Sequence, residues 1–312
     1  MEGINEFGLY LRELRKKKGL TQTSVAEATG LNEKTLRRIE LNNIIPQIET
    51  LEELSLVFKE DLVMSFIKYN SQNIRIFETI QEDIEKKIIQ DDFEKLNKYI
   101  PKLKSLIATI KNPYYILKYQ QYILLIEGIV LYRGDKNYPE SMKKFEKGIE
   151  ISKVNFSIDQ YSNFSYSPME FRLLMNIAFC LNRTGGQERY LKILEFIMDE
   201  IDHSNEIFPV VASNLGNAYK RSKKYMNAIE MMKKGIRYCQ EKSDFSMLPL
   251  LYYGKGVSEY YLNHKEYKNS FKKAVILTDL LGYHDLKISM TAKCKNNFKY
   301  DISEEIESFF EK

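Results

Sequence analysis

Apolar residues recur along this chain at the three- and four-residue spacing of one face of an α-helix. Phe7, Leu11 and Leu14 begin the pattern near the N-terminus. It continues past residue 71 with a stripe that consists of Ile74, Phe77, Ile80, Ile84 and Ile88. No alternation of apolar and polar residues, which would indicate β-strands, interrupts this part of the chain. The sequence therefore predicts an all-α protein.

Capping residues divide the first 40 positions into three short helices. Thr21 has the side chain to cap a helix that carries Val25 and Ala26, and Gly30 supplies the left-handed residue that ends it. Asn32 then caps a third helix with the sequence NEKTLRRIE. Two short helices joined by a glycine-containing turn have the geometry of a helix-turn-helix.

The rest of the chain contains an internal repeat. Its clearest copy occupies residues 209–242, with Leu215, Gly216 and Tyr219 on a first helix and Ala228 on a second. Weaker copies are found at residues 121–153, 171–202, 251–284 and, most divergent, 82–110. One pair cannot bury its own apolar faces, so about five stacked pairs are expected to form one right-handed superhelix. A last helix at residues 302–311 is predicted to cap the array or to contact a second copy.

These patterns predict two domains, residues 1–68 and residues 69–312. The 44% hydrophobic content and only seven prolines favour a chain that is folded throughout. The net charge of +4 is too small to identify a partner. Three widely spaced cysteines fit a reducing compartment better than a disulfide framework.

Several function classes lack the motifs that they need. There is no secretion signal and no apolar run long enough to span a membrane, which predicts a cytoplasmic protein without a membrane partner. The three histidines show no metal-ligand spacing. Phosphate-binding loops and nucleophile elbows are also missing, so we expect no metal, no cofactor and no enzymatic activity.

The run LTQTSVAEATGLNEKTLRRIE, followed by Pro46 and the helix IETLEELSLVF, closely resembles the Xre/Cro-type helix-turn-helix family. This resemblance implies a five-helix DNA-binding domain in which α-helical side chains contact phosphates and base edges. The residues that it assigns to DNA are Gln22, Thr23, Asn32, Glu33, Lys34, Thr35, Arg37 and Arg38.

Two alternatives accompany this assignment. Arg38 occupies a position where the family often has an arginine that pairs with an acidic residue of the module, so it has a structural interpretation as well. The turn after the recognition helix contains Leu41, Asn42 and Asn43, where the family commonly has basic residues. A degenerate module that is kept for packing or protein contact is the competing interpretation.

The segment SNLGNAYKRSKKYMNAIEMMKKGI resembles one unit of a tetratricopeptide (TPR) repeat. In TPR proteins the first helix of each pair lines a concave surface that binds peptides. Asparagine suits such a surface because its amide both donates and accepts, and arginine can hold a carboxylate. The residues predicted to bind a peptide are Asn176, Arg183, Asn214, Asn217, Arg221, Arg133, Tyr252, Lys255 and Glu259. The alternative is that the asparagines follow the repeat consensus and the arginines are solvated.

An Xre-type module followed by TPR-like pairs resembles the RRNPP family of quorum-sensing regulators, especially its PlcR and Rgg branches. The resemblance implies a cytoplasmic homodimer that binds operator DNA and a short imported signalling peptide. Peptide binding would change the superhelix and hence the spacing of two recognition helices, which must lie about 34 Å apart. Activation and repression are equally compatible with it. The alternatives are a TPR protein-interaction adaptor or a phosphotransfer-inhibiting regulator, with DNA binding secondary in both.

Overall fold

A computed structural model of the chain describes residues 2–70, 72–110 and 112–303. Within these ranges every regular element is a helix, which confirms the predicted all-α class. The chain divides into two compact units, Met1–Glu82 with Ala108–Ile110, and Asp83–Ile107 with Lys111–Lys312. The predicted helix at residues 302–311 lies outside the described residues except for Ile302, which is buried, and Ser303.

The first unit begins with five helices: α1 (Glu2–Lys17), α2 (Gln22–Thr29), α3 (Glu33–Glu40), α4 (Ile48–Phe58) and α5 (Leu62–Asn70). The predicted caps are present. The Thr21 side chain accepts from the Ser24 backbone, and the Asn32 side chain accepts from the Lys34 backbone. Gly30 ends α2 with a φ of 70°, in the left-handed region that suits glycine. Local sequence therefore sets the bounds of α2 and α3.

Apolar side chains from all five helices form the core of this unit. Its fully buried members include Leu11, Val25, Leu36 and Leu54. Leu36 and Ile39 are the inward residues of α3, as its helical spacing predicts. Because this packing buries one side of α3, the opposite side of the helix is exposed to solvent.

Eleven further helices follow: α6 (Gln72–Ile89), α7 (Tyr99–Ile107), α8 (Pro113–Val130), α9 (Tyr138–Glu150), α10 (Pro168–Arg183), α11 (Gln187–Glu200), α12 (Phe208–Arg221), α13 (Tyr225–Lys242), α14 (Leu248–Tyr261), α15 (Tyr267–Leu280) and α16 (His284–Phe298). The pairs α8–α9, α10–α11, α12–α13 and α14–α15 each pack together and on the next pair. They correspond to four of the predicted repeats.

The most divergent predicted repeat, residues 82–110, has a different construction. It contains the end of α6, a short 3-10 turn at Leu96–Lys98, and α7, which packs on α8. The chain passes from the first unit to the second within α6, after Glu82. The sequence-based domain boundary at residue 68 lies before this helix.

A π-helical turn extends α8 within the repeat at residues 121–153. Residues Leu131–Asp135 form this turn directly after α8, and Lys136 follows with a φ of 52°. A π turn accommodates one extra residue without ending the helix. The turn therefore lengthens α8 before the chain reaches α9.

Candidate functional site

The solvent side of α3 carries the predicted recognition residues. Glu33, Lys34, Arg37 and Arg38 are exposed, whereas Thr35 is half-buried. No carboxylate pairs with Lys34, Arg37 or Arg38 among the side chains that the structure describes. The α3 surface, which we define by Lys34, Thr35, Arg37 and Arg38, thus offers cationic donors to an anionic partner.

A buried ion pair holds α1, α2 and α3 together beneath this surface. Arg15 Nε donates to Glu40 Oε1 over 2.6 Å, and Arg15 Nη2 donates to Glu40 Oε2 over 3.0 Å. The hydrogen bond to Glu40 raises the pKa of Arg15, although burial acts in the opposite direction. Gln22 Nε2 also donates to Glu40 Oε2, over 2.7 Å. The arginine that ties this module to an acidic residue is therefore Arg15, and Arg38 is free of that structural role.

These contacts change how three predicted DNA-binding side chains are understood. The amide of Gln22 is engaged by Glu40, so in this conformation it positions α2 against α3. Thr23 Oγ1 donates to Glu33 Oε2 over 3.2 Å, which links the starts of the two helices. Asn32 Oδ1 accepts from the Lys34 backbone over 2.8 Å and acts as the cap of α3. DNA contact by any of the three stays a prediction.

The turn after α3 shows why asparagine replaces a basic residue there. Asn42 has a φ of 59°, and its Oδ1 accepts from the Gly8 backbone over 3.0 Å. A Cβ atom on Gly8 would lie 2.3 Å from this oxygen, so glycine is required for the approach. Asn42 fixes the turn to α1.

In the second unit the first helices of successive pairs contact each other. α8 packs on α10, and α12 packs on α14. By the resemblance to TPR repeats, these first helices are the ones expected to line the concave surface of the array. We call the surface that they line the repeat groove.

Two of the asparagines that are predicted to bind a peptide already form hydrogen bonds within the repeat array. Asn176 Nδ2 donates to the Arg172 carbonyl over 2.8 Å. Asn214 Nδ2 donates to the Val210 carbonyl over 3.0 Å and approaches Met175 Sδ at 3.3 Å. Both side chains are half-buried, and each still has an amide oxygen that can accept.

Asn217 lies one turn further along α12 and contacts a lysine that the sequence analysis did not single out. Its Oδ1 accepts from Lys220 Nζ over 2.9 Å. Lys220 is half-buried, and the neighbouring Arg221 is exposed. The three-residue spacing from Asn217 to Lys220 was a signal in the sequence, because side chains at i and i+3 share a helix face.

The predicted arginines at the ends of the first helices have weak partners. Arg133 Cζ lies 4.5 Å from the centre of the Phe93 ring, and Arg133 Nη1 lies 3.8 Å from Asp91 Oδ1. Arg183 Nε donates to the Tyr132 hydroxyl over 3.1 Å, which raises the pKa of Arg183. These exposed contacts leave both guanidinium groups accessible.

Lys255 and Glu259, which are predicted to bind a peptide, take part in a hydrogen-bonded network between α14 and α15, and peptide contact by either stays a prediction. Glu259 is 5% exposed, and its two oxygens accept from Lys255 Nζ at 2.5 Å and from Ser270 Oγ at 2.6 Å. Ser270 belongs to α15, so this network joins α14 to its own pair partner. The spacing of Lys255 and Glu259 in the sequence places both on one face of α14. It does not tell which neighbouring helix that face contacts. Tyr252 is half-buried, with Lys273 Nζ 5.4 Å from its ring centre.

A second charge network was missed at the sequence level. Arg172 Nη2 donates to both oxygens of Glu85, over 2.8 and 2.7 Å, and the Tyr122 hydroxyl donates to Glu85 Oε1 over 3.0 Å. Burial, followed by the charge of Glu85, raises the pKa of Tyr122 well above its ordinary value. The network joins α6, α8 and α10 across 87 residues of sequence. No local pattern reveals a pair at such a separation.

The described residues contain neither a candidate membrane span nor a candidate metal cluster. None of these helices is long and apolar enough to cross a membrane. No group of three or more His, Cys, Asp or Glu side chains is arranged to hold a metal ion in the described part of the chain.

Comparison with known families first defines the class of the N-terminal unit. Residues 11–63 match the family model described as Helix-turn-helix. This range contains α2, α3 and α4 and the Glu40 carboxylate that Arg15 binds. The chain thus contains a helix-turn-helix domain of the type that the sequence predicts. No curated protein matches the chain by sequence.

Solved structures then show which proteins share the fold of the whole chain. PlcR of Bacillus thuringiensis, in complex with the peptide PapR7 and DNA, has a TM-score of 0.68 at 17% identity, covering 92% of this chain and 99% of PlcR. ComR of S. thermophilus, in complex with DNA and its signalling peptide ComS, has a TM-score of 0.54 at 14% identity, covering 92% and 97%. The SHP pheromone receptor Rgg2 of Streptococcus dysgalactiae has a TM-score of 0.51 at 14% identity, covering 93% and 99%.

These TM-scores, each over more than 90% of both chains, establish a common fold. The predicted resemblance to peptide-responsive regulators of the PlcR and Rgg type is therefore confirmed in the fold.

Proposed function

We propose that this protein is a transcription regulator that binds operator DNA through α3 and is controlled by a short signalling peptide in the repeat groove. The observation that carries the proposal is the combination, in one chain, of a helix-turn-helix domain with a PlcR-like repeat array. PlcR and ComR were both solved with DNA and a peptide. A homodimer acting in the cytoplasm completes the proposal.

The α3 surface supports the DNA-binding part. Lys34 and Arg37 are exposed cations without a carboxylate partner in the described structure, on a helix whose inner side is fixed by Leu36 and Ile39. Arginine and lysine on such a helix can donate to guanine O6 and N7 or neutralise phosphates. The Arg15–Glu40 pair keeps the helix in position for either contact.

The repeat groove supports the peptide-binding part. Asn217 and Arg221 lie on α12, the first helix of its pair, with hydrogen-bonding groups suited to a peptide backbone and a carboxylate. A protein-interaction adaptor would use the same groove for another protein's tail. Sequence-selective DNA binding separates the two functions, because the adaptor does not need it.

The test uses the purified full-length protein with operator DNA selected from random duplexes and a peptide selected from a heptapeptide library. Lys34→Ala or Arg37→Ala should weaken operator binding about 5- to 150-fold, since each base contact contributes roughly 1–3 kcal/mol. Peptide affinity should be unchanged. Asn217→Ala should weaken peptide binding and leave the free protein's operator affinity intact. Fluorescence anisotropy measures both affinities.

Lys68→Ala is the matched control, because Lys68 is an exposed lysine on α5, away from the α3 surface. It should retain full operator affinity. Failure to select any preferred duplex would contradict the DNA-binding function and favour the adaptor. Parallel loss of DNA and peptide binding in Lys34→Ala would show that the two sites are not separable.

A further inference from the structure

Lys220 is a half-buried cation of the repeat groove that the chain itself does not neutralise. Its Nζ donates to the neutral amide oxygen of Asn217 over 2.9 Å, and no carboxylate contacts it among the described residues. Burial and then the like charges of Arg221 and Lys293 lower the pKa of Lys220 to about 8. Lys293 is an exposed residue of α16, so the three charges come from two different helices.

Several half-buried cations of the second unit are paired with carboxylates. Arg172 contacts Glu85, Lys255 contacts Glu259, and Lys287 contacts Asp279 at distances of 2.7, 2.5 and 2.7 Å. Lys295, two residues after Lys293 in α16, contacts Asp301 at 2.6 Å. The array thus supplies a carboxylate to cations on either side of Lys220. Half-buried Lys220 has no such carboxylate partner among the described residues.

Two like charges near a half-buried ammonium are unfavourable in the free protein, because desolvation and repulsion both penalise the charged form. An arriving carboxylate removes the repulsion and forms charge-assisted hydrogen bonds, which are about twice as strong as neutral ones. The Asn217 side chain holds Lys220 in position and keeps its own amide N–H groups for a peptide carbonyl. The cluster therefore has the composition of a carboxylate site on a peptide-binding surface.

We propose that Lys220, with Arg221 and Lys293, binds a carboxylate of the signalling peptide, while Asn217 binds the adjoining peptide backbone. This inference rests on the proposed function, since it assigns the ligand chemistry of the same groove. The carboxylate comes either from the peptide's C-terminus or from an Asp or Glu side chain. Arg172 is not the carboxylate site, because Glu85 already occupies it.

The first test needs no ligand. Lys220→Met keeps the length of the side chain and removes the unneutralised charge, so it should raise the Tm of the full-length protein, by about 2 °C or more. Lys234→Met is the control, because Lys234 lies on α13 and pairs with Glu230 at 3.3 Å. Its Tm should stay within about 1 °C of the original. A lower Tm for Lys220→Met would identify a structural lysine and overturn the inference.

The second test compares two synthetic heptapeptide libraries, one with a free C-terminal acid and one with a C-terminal amide, by affinity selection on the full-length protein. Peptides that bind should require a carboxylate. Removing it, by amidation or by Asp→Asn or Glu→Gln in the peptide, should weaken binding at least about tenfold. The same change should have no effect on binding to Lys220→Met, whereas Lys234→Met should behave like the unmodified protein.

The outcomes separate the inference from the function on which it rests. Selection from the acid library alone identifies the C-terminal carboxylate, and Asp- or Glu-rich peptides from the amide library identify a side chain; both support the inference. If peptides bind with the same affinity with and without the carboxylate, the inference is overturned, but the proposed peptide-binding function is not. No peptide from either library overturns the proposed peptide function and the inference together.

Discussion

Buried charged side chains in this protein connect helices that are distant in sequence. Arg15 and Glu40 are 11% and 1% exposed at the side chain, and each oxygen of Glu40 receives an N–H donor from Arg15. A buried ion pair need not stabilise more than apolar residues of the same volume would. Removal of one partner is different, because the other charge is then left buried. The pair therefore acts mainly to fix how α1, α2 and α3 are oriented.

Arg15→Met should destabilise the first unit by about 3 kcal/mol, because it leaves the Glu40 carboxylate buried with Gln22 as its remaining side-chain donor. Arg38→Met is the matched control, since Arg38 is exposed on the same small unit and should cost less than about 0.5 kcal/mol. Urea unfolding gives the free energies, and hydrogen exchange of α1 to α4 locates the effect. Equal losses for the two variants would contradict the structural role of Arg15.

At the scale of helices, the repeat pairs depend on glycines placed opposite large side chains. A Cβ atom on Gly128 of α8 would lie 2.3 Å from the Phe145 ring of α9, and one on Gly256 of α14 would lie 2.7 Å from the Phe271 ring of α15. Helices can approach closely at such a position because glycine has no side chain. The ring then fills the space that the two backbones leave.

Gly128→Ala should destabilise the repeat array by about 2 kcal/mol, because a methyl group in this position forces the Phe145 ring out of its site. Gly134→Ala provides the comparison. No atom lies within 4 Å of a Cβ at Gly134, so alanine there should be neutral or slightly stabilising. Thermal unfolding of the two variants measures the difference. A Tm for Gly128→Ala equal to that of the unmodified protein would show that Phe145 relaxes without cost.

At the scale of the whole molecule, α6 is the helix within which the chain passes from one compact unit to the other. Its last part, from Asp83, belongs to the repeat unit. There Glu85 accepts from Tyr122 on α8 and Arg172 on α10, and Ile89 packs against the C-terminal core cluster that includes Phe271 and Phe298. The end of α6 is therefore held by several repeats at once.

Glu85→Gln should destabilise the repeat unit by about 2–3 kcal/mol, since Arg172 is only 16% exposed and loses its counter-charge. The double variant Glu85→Gln, Arg172→Met should regain most of that loss, because both charges are then absent. Urea unfolding of the single and double variants gives the coupling free energy. A double variant as unstable as the sum of the single changes would indicate that the two side chains act independently.

Much of the fold follows from local sequence. The spacing of Leu36 and Ile39, the caps Thr21 and Asn32, and the left-handed Gly30 specify α2 and α3, and the repeat at residues 209–242 predicts its neighbours. These signals act within a few residues or recur at a fixed period. For the same reason, the exposed recognition residues Lys34 and Arg37 could be selected before the structure was known.

The amino-acid sequence alone determined the helical class, the two-part organisation, the helix-turn-helix and the repeat pairs, because helix formation and repetition depend on short-range patterns. Only the tertiary structure decided which charges are paired. It assigned Glu259 to Ser270, Glu40 to Arg15 and Glu85 to Arg172, and it left Lys220 without a carboxylate among the described residues. Electrostatic partners are chosen by distance in space and by burial, which chain separation does not encode.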